Sequence, residues 1–244
     1  MRPREDSAVG PATGACAGRT LAPEAAVPAA SSPVRLEEAA PTRFAPPRRG
    51  RTRREQVLDG AAEMFAEHGY HGASLRDIAR RVGLSHPGML HHFASKDDLL
   101  GAVIDRLEAH AQDALDRVDE LCTSREAMLQ ALLEIWDPAS ASMQLLATFD
   151  AEVVSEDHPG RYRIARLHRV HEHVLEHCFT ELAERGMLRD GVDPAFASRA
   201  TLAMVLRHAV REKTVRAMRS GDHDDSPAAD LGRLSALFLA EDDA

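Results

Sequence analysis

Three times before residue 100 the chain repeats one local pattern: a serine or threonine, an acidic residue three positions on, and apolar residues at helical spacing. Thr52 and Glu55 precede Val57, Ala61, Met64 and Phe65; Ser74 and Asp77 go with Leu75, Ile78, Ala79 and Val82; Ser95 and Asp98 lead into Leu99, Leu100, Val103, Ile104 and Leu107. In such a capping box the hydroxyl accepts from a first-turn N–H and the acid reaches back to the cap, which satisfies donors that a helix start otherwise leaves orphaned. The apolar positions recur at i, i+3, i+4 and i+7, one face of a helix, and no useful stretch alternates with period two. The chain is thereby committed to short, capped, amphipathic helices.

The same signals run to the C-terminus. Ser85 opens a short helix ending near Phe93. Ser124 starts one that runs to about Trp136, Asp137-Pro138 punctuates it, and a further stretch reaches about Ser155. Asp157-His158-Pro159-Gly160 reads as a break before a long helix from about Arg161 to Arg185, stopped by Gly186. Asp193-Pro194 and Ser226-Pro227 each place a cap ahead of a proline at the first helical position. The expectation is an all-α fold of about nine helices.

At 244 residues and 44% hydrophobic content the chain can build a substantial core. No apolar run approaches the roughly 18 residues of a spanning helix, so no membrane span is expected. The net charge of -9 argues against a histone-like coat of nucleic acid held by bulk charge. That total conceals an uneven division: residues 1–47 are neutral, residues 48–100 carry +2 and residues 101–244 carry -11. Cys16, Cys122 and Cys178 form no CxxC pair or zinc ribbon, and the N-terminus lacks the apolar core of a secretory signal. The expected location is the cytoplasm.

Residues 1–47, rich in Ala, Pro, Ser and Gly, read as a disordered tail, or as a segment upstream of the true start. Order is expected from residue 48, with one domain over 48–100 and a larger C-terminal domain over 101–244.

The most informative stretch is Ser74-Leu-Arg-Asp-Ile-Ala-Arg-Arg-Val-Gly-Leu-Ser-His-Pro-Gly-Met-Leu-His-His-Phe93. Gly83 supplies a left-handed turn residue, Leu84 plugs the angle between two helices, and Ser85 caps the second, as a helix-turn-helix over about 74–93 requires. Together with Gly69-Tyr70 and with His91-His92-Phe93-Ala94-Ser95-Lys96-Asp97-Asp98-Leu99-Leu100, this stretch resembles the N-terminal domain of TetR-family transcriptional regulators, over roughly residues 51–100. The resemblance implies an all-helical homodimeric repressor, with a DNA-binding head, a C-terminal domain that holds a small-molecule effector, and a dimer formed by the last two helices.

Carried over by position, it implies that Ser74 and Arg76 lie at the DNA, that Ser85, His86, Pro87 and Gly88 open the recognition helix into the major groove, and that His91, His92 and Lys96 lie near phosphates. The chemistry agrees: an arginine can donate twice to guanine, a proline can touch a thymine methyl, and a lysine at a helix start can join the N–H groups there in holding phosphate. Leu90 departs from the family's usual phosphate-contacting tyrosine and leaves only an apolar contact. Arg76, Arg80 and Arg81 could also be a solvated helix face. Met89 and Phe93 read as core, and the Arg48–Arg54 cluster reads either as a flexible lead-in or as a minor-groove arm.

In the C-terminal domain, Trp136, Met143, Phe149, Tyr162, Phe179, Met187, Phe196 and Met204 are able to line an apolar cavity, although a bundle core needs the same side chains. Trp136, Met143 and Phe149, with His168 and His171, are the candidate effector residues. His168, His171, His173 and His177 beside Cys178 raise the question of a metal, but without an HExxH pattern a polar helix face is the expectation, with no metal site and no cofactor. Leu202, Val205, Leu206 and Val210, with Leu231, Leu234, Leu237 and Phe238, suggest a dimer seam over about 194–219 and 227–240.

The partners expected are therefore a double-stranded operator with an inverted repeat, an effector of unidentified chemistry, and a second copy of the chain. A dimer would set two recognition helices about 34 to 36 Å apart, and an effector favouring another spacing would lower operator affinity. No GxSxG, P-loop or post-strand GxGxxG is present, so no catalytic residue is expected. The competing reading is a helical ligand- or metal-binding protein that does not bind operator.

Overall fold

The computed structural model describes residues 52–214 and 227–240, all within one compact unit. The tail 1–47, Arg48, Arg49, Arg51, Ser226 and the expected continuation of a helix to 219 lie outside the described residues. The described residues are helical, with one isolated antiparallel bridge between Leu188 and Leu239. The helices are α1 (Arg53–Gly72), α2 (Leu75–Arg81), α3 (His86–Leu90), α4 (Lys96–Asp116), α5 (Val118–Leu121), α6 (Arg125–Glu134), α7 (Ala141–Glu152), α8 (Arg161–Glu184), α9 (Pro194–Thr214) and α10 (Pro227–Phe238). The all-α expectation holds, and the tenth element is α5, a single turn too short to show a period in sequence.

The caps form where the sequence places them, with one chemical difference. Thr52 and Glu55 make the full reciprocal box: the Glu55 N–H donates to Thr52 Oγ1 at 3.3 Å and the Thr52 N–H to Glu55 Oε2 at 2.7 Å. At α2 the shorter Asp77 instead takes a hydrogen bond from the Ser74 hydroxyl at 2.5 Å, while Ser74 Oγ accepts from the Asp77 N–H at 3.2 Å. Ser85, Ser95, Ser124 and Ser140 cap α3, α4, α6 and α7 in the same one-way fashion.

α1, α2 and α3 form a small head whose core is Val57, Ala61, Phe65, Ile78, Ala79 and Met89. α1 packs on α7 and α4 packs on α8 and α1, so the head is continuous with the body. α4 runs unbroken across residue 100, where the sequence suggested a domain boundary. α8 and α9 pack most extensively and build the body core around Leu167, Val174, Phe179, Leu202 and Val205. Ion pairs tie the helices at their edges: Arg106 meets Asp59 of α1 at 2.9 Å, and Arg163 of α8 meets Asp105 and Glu108 of α4, each at 2.6 Å.

Part of the apolar face expected at a dimer seam is used inside the chain. Leu202, Val205, Leu206, Leu231 and Phe238 are buried within the single chain, because α9 and α10 spend their strongest apolar faces on α8 and on each other. The apolar surface left outside on these helices is centred on Phe196 (56% exposed) and Leu237 (66% exposed).

Candidate nucleic-acid interface

α2 and α3 are joined by a turn that only a few backbone conformations close. Gly83 adopts φ 67°, and an added Cβ would meet nothing within 4 Å, so the demand for glycine here is conformational rather than steric. The Leu84 N–H donates to the Ala79 carbonyl at 2.8 Å and the Gly83 N–H to that of Arg80 at 3.2 Å, which terminates α2 and aims the chain at α3. Arg53 completes the turn, its Nη2 donating to the Val82 and Gly83 carbonyls at 3.0 and 3.2 Å. This first arginine of α1 is thus occupied in building the head.

Met89, fully buried, and Phe93, nearly so, anchor α3 from beneath. The opposite face of the α3 region presents Pro87, Leu90 (42% exposed) and His91, with His86, Gly88 and His92 half-buried beside them. Ser85 caps the helix, its Oγ accepting from the Gly88 N–H at 3.1 Å, and Ser74 caps α2 alongside. Arg76 is exposed on α2, whereas Arg80 pairs with Asp77 at 3.0 Å and Arg81 with Glu67 at 2.8 Å. The hydrogen bond from Ser74, then the nearby Arg80, holds the Asp77 carboxyl below its ordinary range. The structure therefore brings Ser74, Arg76, Ser85–Gly88, Leu90, His91 and His92 to the α2–α3 side of the head.

Lys96 has a different employment. Its Nζ donates to the Tyr70 and Ala73 carbonyls at 2.9 and 3.1 Å and stands 4.1 Å from the centre of the Tyr70 ring. The ammonium thus caps the end of α1, which gives Lys96 a positioning role in the head. The Tyr70 hydroxyl in turn donates to Asp97, and burial followed by that carboxylate pushes the phenol up to about 12.

The same end of α1 is bound to the body. Gly69 breaks the helix at φ 71°, and a Cβ there would fall 2.1 Å from Glu152 Oε1. The Tyr70 N–H donates to Glu152 Oε2 at 2.9 Å, while Thr148 and Lys213 both donate to the Ala66 carbonyl. His158 is buried 3.8 Å from Glu152, and burial keeps its imidazole below the usual histidine range. Sequence reading missed Glu152 and His158 as seam residues, because an acid at a helix end and a histidine in an Asp-His-Pro-Gly break carry no signal of a partner some 80 residues away.

The candidate effector residues divide. Trp136, Met143 and Phe149 are fully buried and His171 nearly so, which places all four in the body core. Trp136 and His171 are neighbours, with ring centres 6.3 Å apart, and His110 of α4 joins them 6.2 Å from His171. Phe149 lies elsewhere, 6.0 Å from Phe65 of the head. His168 hydrogen-bonds to Asp150 at 2.9 Å and approaches Glu172 at 3.5 Å, and these carboxylates raise its proton affinity. His173 is exposed, and His177 lies 3.6 Å from Asp119. The histidine run is therefore spread around α8, and among the described residues no group of three or more His, Cys, Asp or Glu is placed to hold a metal. Tyr162 and Phe196, read as possible cavity liners, point outward at 87% and 56% exposure.

Residues 57–103 match the family model described as bacterial regulatory proteins, tetR family. The transcriptional repressor AcnR of Corynebacterium diphtheriae is 45% identical over 51 residues, 21% of this chain and 27% of that protein. The transcriptional activator FasR of Mycolicibacterium smegmatis is 32% identical over 108 residues, 43% of this chain and 48% of that protein. The chain thus spans between about a quarter and a half of these relatives. Among solved structures, SmeT, the repressor of a Stenotrophomonas maltophilia multidrug efflux pump, aligns at TM-score 0.56 and 22% identity, covering 79% of this chain and 93% of that one. AibR in complex with isovaleryl coenzyme A and operator DNA aligns at TM-score 0.58 and 24% identity, covering 77% and 98%. No described helix is long and apolar enough to cross a membrane. Over residues 57–103 the chain is thus similar to bacterial regulatory proteins of the tetR family, and its described residues share the helical fold of these solved structures.

Proposed function

We propose that the protein is a cytoplasmic, non-enzymatic transcriptional repressor that binds an inverted-repeat operator as a homodimer and is released by a small-molecule effector held in the body. The observation that carries this reading is the α3 surface: a five-residue helix fixed from beneath by Met89 and Phe93, presenting Pro87, Leu90 and His91 outward beside Arg76, with His86 half-buried at its start. A helix so exposed at its N-terminal end suits the major groove. Arg76 and His86 read base edges, Pro87 and Leu90 offer apolar contact to thymine methyl groups, and Ser74, Ser85, His91 and His92 contact the backbone.

The excess of negative charge over residues 101–244 supports binding through the head alone. The exposed Phe196 and Leu237 support a two-fold contact through α9 and α10. Hydrogen bonds from Tyr70 and Thr148 join α1 to α7, which gives an effector in the body a physical route to the head. The test is capture of genomic DNA fragments by the purified protein: recovery of fragments sharing an inverted repeat supports the reading, and recovery without any shared sequence overturns it.

A further inference from the structure

Among the described residues, two neighbouring rings in the body core each bury a polar atom without a hydrogen-bond partner. Trp136 Nε1 and His171 Nδ1 are both buried without a hydrogen-bond partner among the described residues, on side chains 0% and 1% exposed. Their rings stand nearly edge to face, 6.3 Å apart at 72°. An indole N–H can only donate, and a neutral imidazole nitrogen either accepts or donates according to its tautomer. A buried group of this kind is ordinarily paired, so a pair of them side by side needs an explanation.

The surroundings narrow what could satisfy them. His110, the other polar ring beside His171, spends its Nε2 on the Ile135 carbonyl at 3.1 Å. Burial, then His110 and His168, pushes the His171 imidazole down to about 3, so the ring is neutral. A carboxylate or ammonium brought here would be desolvated beside a charge already spent, since His168 is paired with Asp150 and Glu172. A hydroxyl oxygen accepts and donates at once and so pairs with the indole N–H and with either tautomer of the histidine. An oxygen roughly 3 Å from each nitrogen spans gaps of up to about 6 Å.

We infer that the effector is an uncharged, largely apolar molecule whose hydroxyl group accepts a hydrogen bond from Trp136 and pairs with His171. This rests on the effector reading above and names the chemical class that the site selects.

Trp136 is the chain's single tryptophan, so its emission reports on this site alone. The probes are 4-ethylphenol, ethylbenzene and 4-ethylbenzoate, which share a skeleton and differ in the hydroxyl and the charge. The full-length protein is expected to show a saturable change in Trp136 emission with 4-ethylphenol at a Kd about tenfold or more below that of ethylbenzene, the margin of one hydrogen bond to a buried partner, and none with 4-ethylbenzoate. His171→Phe, which keeps an aromatic ring and removes one of the two polar partners, should weaken the phenol several-fold while leaving ethylbenzene unchanged. Equal binding of the three probes by the parent protein, or no saturable response to the phenol, overturns the inference and leaves the two nitrogens to a trapped water. A compound that releases operator but leaves Trp136 emission and the His171→Phe affinity unchanged would overturn this site while keeping the regulatory reading. Phenol-selective binding with no effect of any compound on operator would do the reverse.

Discussion

Lys96 and Tyr70 are joined twice: the ammonium donates to the Tyr70 carbonyl at 2.9 Å and stands 4.1 Å over the centre of the same residue's ring. One side chain at the start of α4 thereby closes the end of α1 and covers its last aromatic residue.

Replacing Lys96 by Met should therefore destabilise the DNA-free protein. It removes hydrogen bonds to two carbonyls and the contact with the ring, for an expected loss of about 1–3 kcal/mol. Urea denaturation measures this. A side chain whose sole role was to hold phosphate would leave the midpoint where it was and weaken only DNA binding.

Arg76 carries the opposite expectation. It is exposed, so Arg76→Ala should leave stability within about 0.5 kcal/mol. As a base reader it should cost about 1–3 kcal/mol at one operator position and relax preference there. Competition between operator and singly substituted sites checks this, and a uniform loss across all sequences would reassign Arg76 to the phosphates.

The two sets of apolar residues on α9 and α10 should separate cleanly in solution. Phe196→Asp with Leu237→Arg changes exposed positions, so the chain should keep its helicity while its mass by light scattering falls to that of a monomer. Leu202→Asp buries an unpaired charge and should unfold the chain instead. A dimer that survives the first pair of changes would place its interface elsewhere.

Acid should weaken the fold in part through His171. Its folded-state proton affinity is depressed to about 3, so between the ordinary histidine value near 6.5 and that point the unfolded chain takes a proton that the folded chain refuses. The stability involved is fully present above about pH 6.5 and falls as the pH drops, by up to about 1.4 kcal/mol per pH unit for one proton. His158, depressed in the same direction, adds to the decline. Denaturation midpoints at several pH values should show a shallower acid slope in His171→Phe, and an unchanged slope would mean that His171 is hydrated in the folded protein.

The sequence and the structure agree where the signal is local. Thr52, Ser74, Ser85 and Ser95 each cap the helix that their spacing announces, because a cap is decided within three residues. Gly83 was legible for the same reason. Legibility fades where partners are distant in sequence. Lys96 looked like a cation at a helix start, and its real neighbours, the Tyr70 and Ala73 carbonyls, lie 26 and 23 residues back. The helical period of Leu202 and Val205 identified an apolar face without indicating whether α8 or a second chain would cover it. His110 went unremarked, although it borders the α4 stripe of Leu107, Ala111 and Ala114 and meets His171.

α4 spans 21 residues without a break, about 31 Å at 1.5 Å per residue. Arg163 grips it at Asp105 and Glu108, and its first residue sits nine positions before that grip, an arm of about 14 Å. A rigid rod has no swivel, so a tilt of about 5° at the grip displaces Lys96 by about 1 Å. That is a large fraction of the reach of its 2.9 and 3.1 Å bonds to Tyr70 and Ala73. The far end of the rod thus carries a small rotation in the body to the end of α1, where the Lys96 side chain has to absorb it.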